Sequence, residues 1–151
     1  MIRIVRSVSV RLRAHAEAAL PHECCGILLG RAIDRETTVH RVIAAENIAE
    51  GDRRRTYQID WRTLFETVRA TRNGVDQIVG FYHSHPDGSA RPSRGDRFEA
   101  WIDYVYVILS IADARPPGLT AWRIPTPGDP FVRQTVRVAE DGAPRGSVLT
   151  T

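Results

Sequence analysis

Lysine is missing from this chain, and all 21 basic residues are arginine. That bias points to the codon usage of a GC-rich genome and carries no chemistry. Cysteine is confined to one adjacent pair, Cys24 and Cys25. Vicinal cysteines are poorly placed to bridge each other, and a reducing cytoplasm disfavours a disulfide. No Cys-x-x-Cys spacing exists, so a thiolate zinc site is unsupported, and the pair reads as buried small apolar residues. Long apolar runs are also absent, which excludes a bilayer-spanning helix. The opening Met1-Ile2-Arg3-Ile4-Val5-Arg6 alternates charge with apolar residues and lacks a signal-peptide core. A cytoplasmic protein without a membrane association is the expectation. Charge of one sign is scarce as well: 18 acidic residues leave a net charge of +3. The basic residues are scattered, and only Arg53-Arg54-Arg55 cluster. That triplet reads as a solvated loop, with an acidic partner as the second reading. Nothing argues for a nucleic-acid partner.

What is present suits one domain. A length of 151 residues with 42% apolar content supports a single core. After a short first strand, Val8, Leu12, His15, Ala16, Ala19 and Leu20 fall at helical spacing, and Pro21 ends that helix. Cys24 to Leu29 and Thr37 to Ala45 read as strands, and Glu46 to Arg55 as a loop. Asp60 is a good N-cap for a helix whose apolar face carries Trp61, Leu64, Phe65 and Val68. Ile78 to Tyr82 and Tyr104 to Leu109 read as strands covered on both faces. Between them, a loop from Pro86 to Pro92 leads into a short helix with Phe98, Trp101 and Ile102 turned inward. Further strands are expected around Thr120 to Ile124 and Val132 to Val138. Together these make one mixed α/β domain over residues 1–138, followed by a flexible small and polar tail, 139–151.

The chemistry concentrates in His83-Ser84-His85-Pro86 and Ser93-Arg94-Gly95-Asp96. Alternating strand residues share a face, so His83 and His85 point the same way, together with Val79 and Phe81. Pro86 ends the strand behind them. Two hydrogen-bonded histidines at a strand edge is the plain alternative. Ser93 and Asp96 lie three apart across a helix start, which puts both on one side. Ordinary capping explains the same spacing, with Ser93 as the cap and Asp96 favoured by the helix dipole. The two readings are compatible. Two imidazoles, one carboxylate and a water form an established catalytic zinc set. A hydrolase also needs a base, and the candidates are Glu17, Glu23, Glu46, Glu50, Glu66 and Glu99. Glu23, at the start of an apolar strand, would be costly to bury without a role. Glu46, at the far end of the next strand, is the runner-up, and physical reasoning alone leaves both open.

The spacing His83-x-His85, seven residues, Ser93, two residues, Asp96 resembles the full motif of the JAMM metalloproteases, the MPN-plus or JAB-domain family. Pro21-His22-Glu23-Cys24-Cys25-Gly26, continued by Leu28-Leu29-Gly30, looks like that family's Pro-x-Glu-x-Cys-Gly segment. Asn47, Tyr57 and Gly80-Phe81-Tyr82-His83-Ser84-His85-Pro86 are similar to its compact prokaryotic members. The resemblance runs from about residue 8 to residue 125, with no departure at a motif position. It implies an α/β (α+β) fold in which helices flank one mixed, mostly antiparallel curved sheet, as in cytidine-deaminase-like folds. It also implies one Zn²⁺ per chain on His83, His85 and Asp96, with Glu23 as general acid–base. Ser93 would hydrogen-bond the oxyanion, and Ser84 is structural.

The implied activity is zinc-dependent hydrolysis of an amide bond at the C-terminus of a ubiquitin-like protein, such as a sulfur carrier ending in Gly-Gly. Between Ser110 and Thr120 there is little room for the long insertion with which eukaryotic relatives grip a second ubiquitin. Specificity for polyubiquitin linkages is therefore not expected. Three alternatives stand beside this. A noncatalytic scaffold is one, but such relatives lack metal residues and this chain lacks none. A zinc peptidase acting on free peptides is another. A nucleoside deaminase is the third, and its His-x-Glu and Pro-Cys-x-x-Cys signatures are absent.

Overall fold

The computed structural model describes residues 1–98, 100–112 and 116–142. Eight strands form one sheet: β1 (Ile2–Val5), β2 (Cys25–Ile33), β3 (Glu36–Ala45), β4 (Gln77–His85), β5 (Val105–Ser110), β6 (Gly118–Arg123), β7 (Val132–Gln134) and β8 (Val136–Ala139). Three helices accompany them: α1 (Arg6–Ala19), α2 (Trp61–Thr71) and α3 (Arg94–Phe98). The spatial order is β7-β6-β5-β4-β2-β3-β1-β8. Pairing is antiparallel for β2 with β3 and β4, and for β6 with β5 and β7. It is parallel between β4 and β5 and where β1 meets β3 and β8. This is the expected single α+β domain with a mixed sheet. Among the described residues no helix is long and apolar enough to cross a membrane.

Both sheet faces are covered. Val8, Leu12 and Ala16 of α1 join Ile4, Leu28, Val39, Tyr82 and Val107 in one core. Ile27, Leu29, Phe81 and Tyr106 form a second core, against which Ile59, Leu64, Trp122 and Phe131 pack. The continuous apolar runs of β2, β4 and β5 follow from this two-sided burial. Ala139 closes β8, Arg6 pairs with Glu140, and the Ser7 amide donates to Asp141. Most of the expected tail, 143–151, lies outside the described residues.

Three expectations need correction. Val79 does not share a face with Phe81. The β2–β4 register shifts between Leu28↔Gly80 and Leu29↔Ile78, and the extra residue puts Val79 in the α1-side core. The apolar face of α2 is not buried as a set: Trp61, Phe65 and Val68 are exposed, whereas Leu64 and Thr67 face the sheet. The Asp60 cap on the Thr63 amide fixes where the helix starts. Thr67 and Thr71 return their hydroxyls to carbonyls one turn back, so threonine can occupy the inner face without another partner. Finally, α3 stops at Phe98, which is 95% exposed, and Trp101 and Ile102 are not buried either. A five-residue helix is too short to present an inward stripe.

Parallel neighbours β4 and β5 approach closely at Gly80. A Cβ there would lie 1.9 Å from the Val105 carbonyl oxygen, and backbone cannot swing aside as a side chain can. Gly80→Ala is expected to destabilise the fold by at least about 1–3 kcal/mol, the usual cost of overpacking. Urea unfolding checks this, and an unchanged midpoint would show that β4 and β5 can separate freely.

Candidate metal centre

Antiparallel pairing of β2 with β4 sets Cys25 opposite His83. The ladder continues past the end of β2, where the Ser84 amide donates to the Cys24 carbonyl at 3.1 Å. One step further brings Glu23 opposite His85, on the face that carries both histidines. The Glu23 backbone is held on two sides. Its amide donates to the Arg53 carbonyl at 2.8 Å, and its own carbonyl accepts from Asn47 Nδ2 at 3.1 Å. Asn47 Oδ1 also accepts from the Ala49 and Gln58 amides, so one side chain closes the loop that walls the site.

The third group comes from α3. Ser93 and Asp96 bond reciprocally: the Ser93 amide donates to Asp96 Oδ2 at 2.6 Å, and the Asp96 amide donates to Ser93 Oγ at 3.1 Å. Capping and site assembly are therefore the same interaction, as the sequence spacing allowed. It turns the Asp96 carboxylate toward the histidines. His83 Nε2 and His85 Nε2 lie 3.1 Å apart, and each is 3.3 Å from Asp96 Oδ2.

That triangle is a test of metal fit. Four tetrahedral zinc bonds of about 2.0–2.1 Å put ligand atoms about 3.3–3.4 Å apart. The three edges match this within a few tenths of an ångström. The Ser89 carbonyl can only accept a hydrogen bond, and His85 Nδ1 lies 2.9 Å from it. This calls for a proton on Nδ1 and leaves Nε2 with its lone pair toward the cluster. The Tyr57 ring stacks on His83 at 4.4 Å between centroids and holds its plane. The residues fit a zinc ion.

Electrostatics agree. Burial lowers the His83 pKa and outweighs the pull of Asp96, so that ring is neutral. Burial also acts to lower His85, but Asp96, Glu23 and the Ser89 carbonyl together raise it. Burial would raise the Asp96 carboxyl, yet hydrogen bonds to His83 and His85 hold it far below the usual range. Glu23 is 5% exposed, and burial pushes it up to about 8, against the opposing effect of His85. Its Oε2 has no hydrogen-bond partner among the described residues. Two carboxyl groups and two imidazoles thus share a buried space that a cation would balance.

Other candidates separate cleanly. Glu46 is exposed, at a position beyond β3 that matches Cys24 and not His85. Glu17, Glu50 and Glu66 are not buried, and Glu99 lies outside the described residues. Burial raises Cys24 to about 11 and Cys25 to about 12, so both remain thiols. Arg53 to Arg55 are exposed, with Arg54 paired to Asp52. Sequence reasoning did not foresee the stacking by Tyr57 or the hydrogen bond from His85 to the Ser89 carbonyl. The second is a backbone contact that no side-chain pattern announces.

The family model for prokaryotic homologs of the JAB domain matches residues 5–125. The chain is 35% identical to the desampylase of Haloferax volcanii, over 69% of this chain and 73% of that protein. It is 33% identical to the CysO-cysteine peptidase of Mycobacterium tuberculosis, over 74% of each. The solution structure of a protein from Desulfitobacterium hafniense superposes with a TM-score of 0.82 at 29% identity, covering 93% of this chain and 94% of that one.

Ser84 lies between the two histidines, and its fully buried Oγ accepts from the Cys24 amide at 2.8 Å. Ser84→Ala would leave that amide unsatisfied. The expected loss is about 1–3 kcal/mol of stability with zinc stoichiometry unchanged, read by urea unfolding and elemental analysis. Loss of metal from a folded variant would instead give Ser84 a place in the ligand shell.

Proposed function

The chain belongs to the family of prokaryotic homologs of the JAB domain and is a hydrolase, and we propose that it is a zinc-dependent peptidase cutting an amide bond at the C-terminus of a ubiquitin-like sulfur carrier. The observation that carries the proposal is the three-atom ligand triangle beside a buried Glu23 with one unpartnered carboxylate oxygen. A scaffold would gain nothing from that burial, which costs stability unless the carboxylate is used.

His83, His85 and Asp96 would hold the zinc. A bound zinc ion would supply a Lewis acid for the scissile carbonyl and would make water acidic enough to lose a proton near neutral pH. Glu23 would take that proton and deliver it to the departing amine, a general acid–base role open to it from its place opposite His85. Ser93 accepts from the Asp96 amide, which leaves its own O–H free to donate to the oxyanion. Asn47 and the Arg53 carbonyl keep Glu23 aimed by holding its backbone. A Gly-Gly tail carries no side chains, so it can approach these groups in an extended conformation through main-chain hydrogen bonds.

The names of the relatives, desampylase and CysO-cysteine peptidase, support a carrier-type substrate over free peptides. The test is incubation of zinc-loaded protein with ubiquitin and ubiquitin-fold sulfur carriers extended beyond Gly-Gly, followed by mass spectrometry. A product ending in Gly-Gly supports the proposal, and intact carriers beside fully zinc-loaded protein would contradict it.

Glu23→Gln is expected to keep the metal and to lose about 10²–10⁴-fold in kcat. Ser93→Ala is expected to lose about 10²–10³-fold, also with zinc retained. Undiminished turnover in zinc-bound Glu23→Gln would remove Glu23 from the chemistry.

A further inference from the structure

The two imidazoles of the cluster are secured by different means. His85 Nδ1 lies 2.9 Å from the Ser89 carbonyl, which fixes both its tautomer and its plane. His83 has no such support. It is 1% exposed, and among the described residues its Nδ1 has no hydrogen-bond partner. A buried ring nitrogen left unpaired is uncommon, and a hydrogen bond from that atom is the usual way a metal-binding histidine is oriented. What His83 has instead is a parallel ring. Tyr57 lies 4.4 Å from it between centroids, with the two planes within 20° of each other. His85 also touches His83, but tilted by 61°, so it offers no matching face.

Tyr57 is itself firmly placed. Asn47 grips the backbone on both sides of it: Nδ2 donates to the Thr56 carbonyl at 3.0 Å, and Oδ1 accepts from the Gln58 amide at 3.1 Å. The Ile48 amide donates to the Gln58 carbonyl at 2.9 Å, and Ile59 packs against the second core. Asn47 Nδ2 is also the group that donates to the Glu23 carbonyl. One side chain therefore holds the segment carrying the stacking ring and the segment carrying Glu23. A ring fixed in advance loses little freedom when its neighbour becomes fixed too.

On the reading that His83 is a zinc ligand, the stack does more than hold a plane. An imidazole that shares its lone pair with a cation becomes electron-poor, and the electron-rich face of a phenol attracts it more strongly. The contact is then stronger with the ion bound than without it, which is what any contribution to affinity requires. We propose that Tyr57 is a positioning residue of the metal centre, its stacked ring serving His83 in place of the hydrogen bond that His85 makes to Ser89.

The test titrates the metal-free full chain with zinc alone, in competition with a chromophoric chelator. Tyr57→Leu is expected to weaken zinc binding by about tenfold, in the upper part of the range for an aromatic pair. Tyr57→Phe keeps the ring and is expected to stay within about threefold of the wild type. Cobalt(II) absorption of the same proteins reads the ligand geometry, and its bands should shift in Tyr57→Leu and not in Tyr57→Phe. If leucine prevents folding, Tyr57→Met fills the space without a π face and gives the same comparison. Unchanged zinc affinity in a folded leucine or methionine variant would overturn the role. So would a phenylalanine variant as weak as the leucine one, or weaker zinc binding with unaltered cobalt bands. Each of these results leaves the zinc peptidase reading standing, whereas a wild type that binds no zinc would remove both.

Discussion

Everything at the site hangs on the antiparallel register that sets Cys25 opposite His83. Side chains alternate along a strand, so a slip of one residue would turn Glu23 away from His85 and bury an unused carboxylate on the α1 side. The register is protected where it matters. Cys25, Ile27 and Leu28 are fully buried, Ser84 Oγ caps the Cys24 amide, and the nearest bulge lies upstream, at Val79. The irregularity falls between the histidines and the far end of β4, so the end of the strand that carries them keeps strict alternation.

Onto that frame α3 adds one charge. The Ser93–Asp96 exchange is an ordinary helix-capping arrangement, yet it is also what aims Asp96 at two imidazoles. A carboxylate, a second buried carboxyl at Glu23 and two nitrogen lone pairs crowd together where water cannot screen them. Such a cluster is unfavourable unless a cation joins it. Burial raises the Glu23 pKa, and a bound metal would act in the opposite direction.

The meeting of His83, His85 and Asp96 was legible in the sequence because it is local. His83, His85, Ser93 and Asp96 fall within fourteen residues, and strand and helix periodicity relate each pair. The choice between Glu23 and Glu46 was not legible, since it depends on how β2 is registered against β4 and β3, and both glutamates flank apolar strands. The buried and exposed faces of α2 were misjudged because Thr67 satisfies its own hydroxyl within the helix, whereas apolar Phe65 and Val68 remain in solvent. The mixed α/β class followed from apolar runs that are β-rich and bounded by clear turn residues, whereas the spatial order of the strands did not.

His83, His85 and Asp96 meet in the geometry that a metal ion requires. Elemental analysis of the purified wild type and of His85→Ala tests it most directly. About one zinc per chain is expected in the wild type, lost in a His85→Ala variant that still folds. A wild type that takes up no zinc after the metal is added back would contradict it and leave the histidines with a structural role alone.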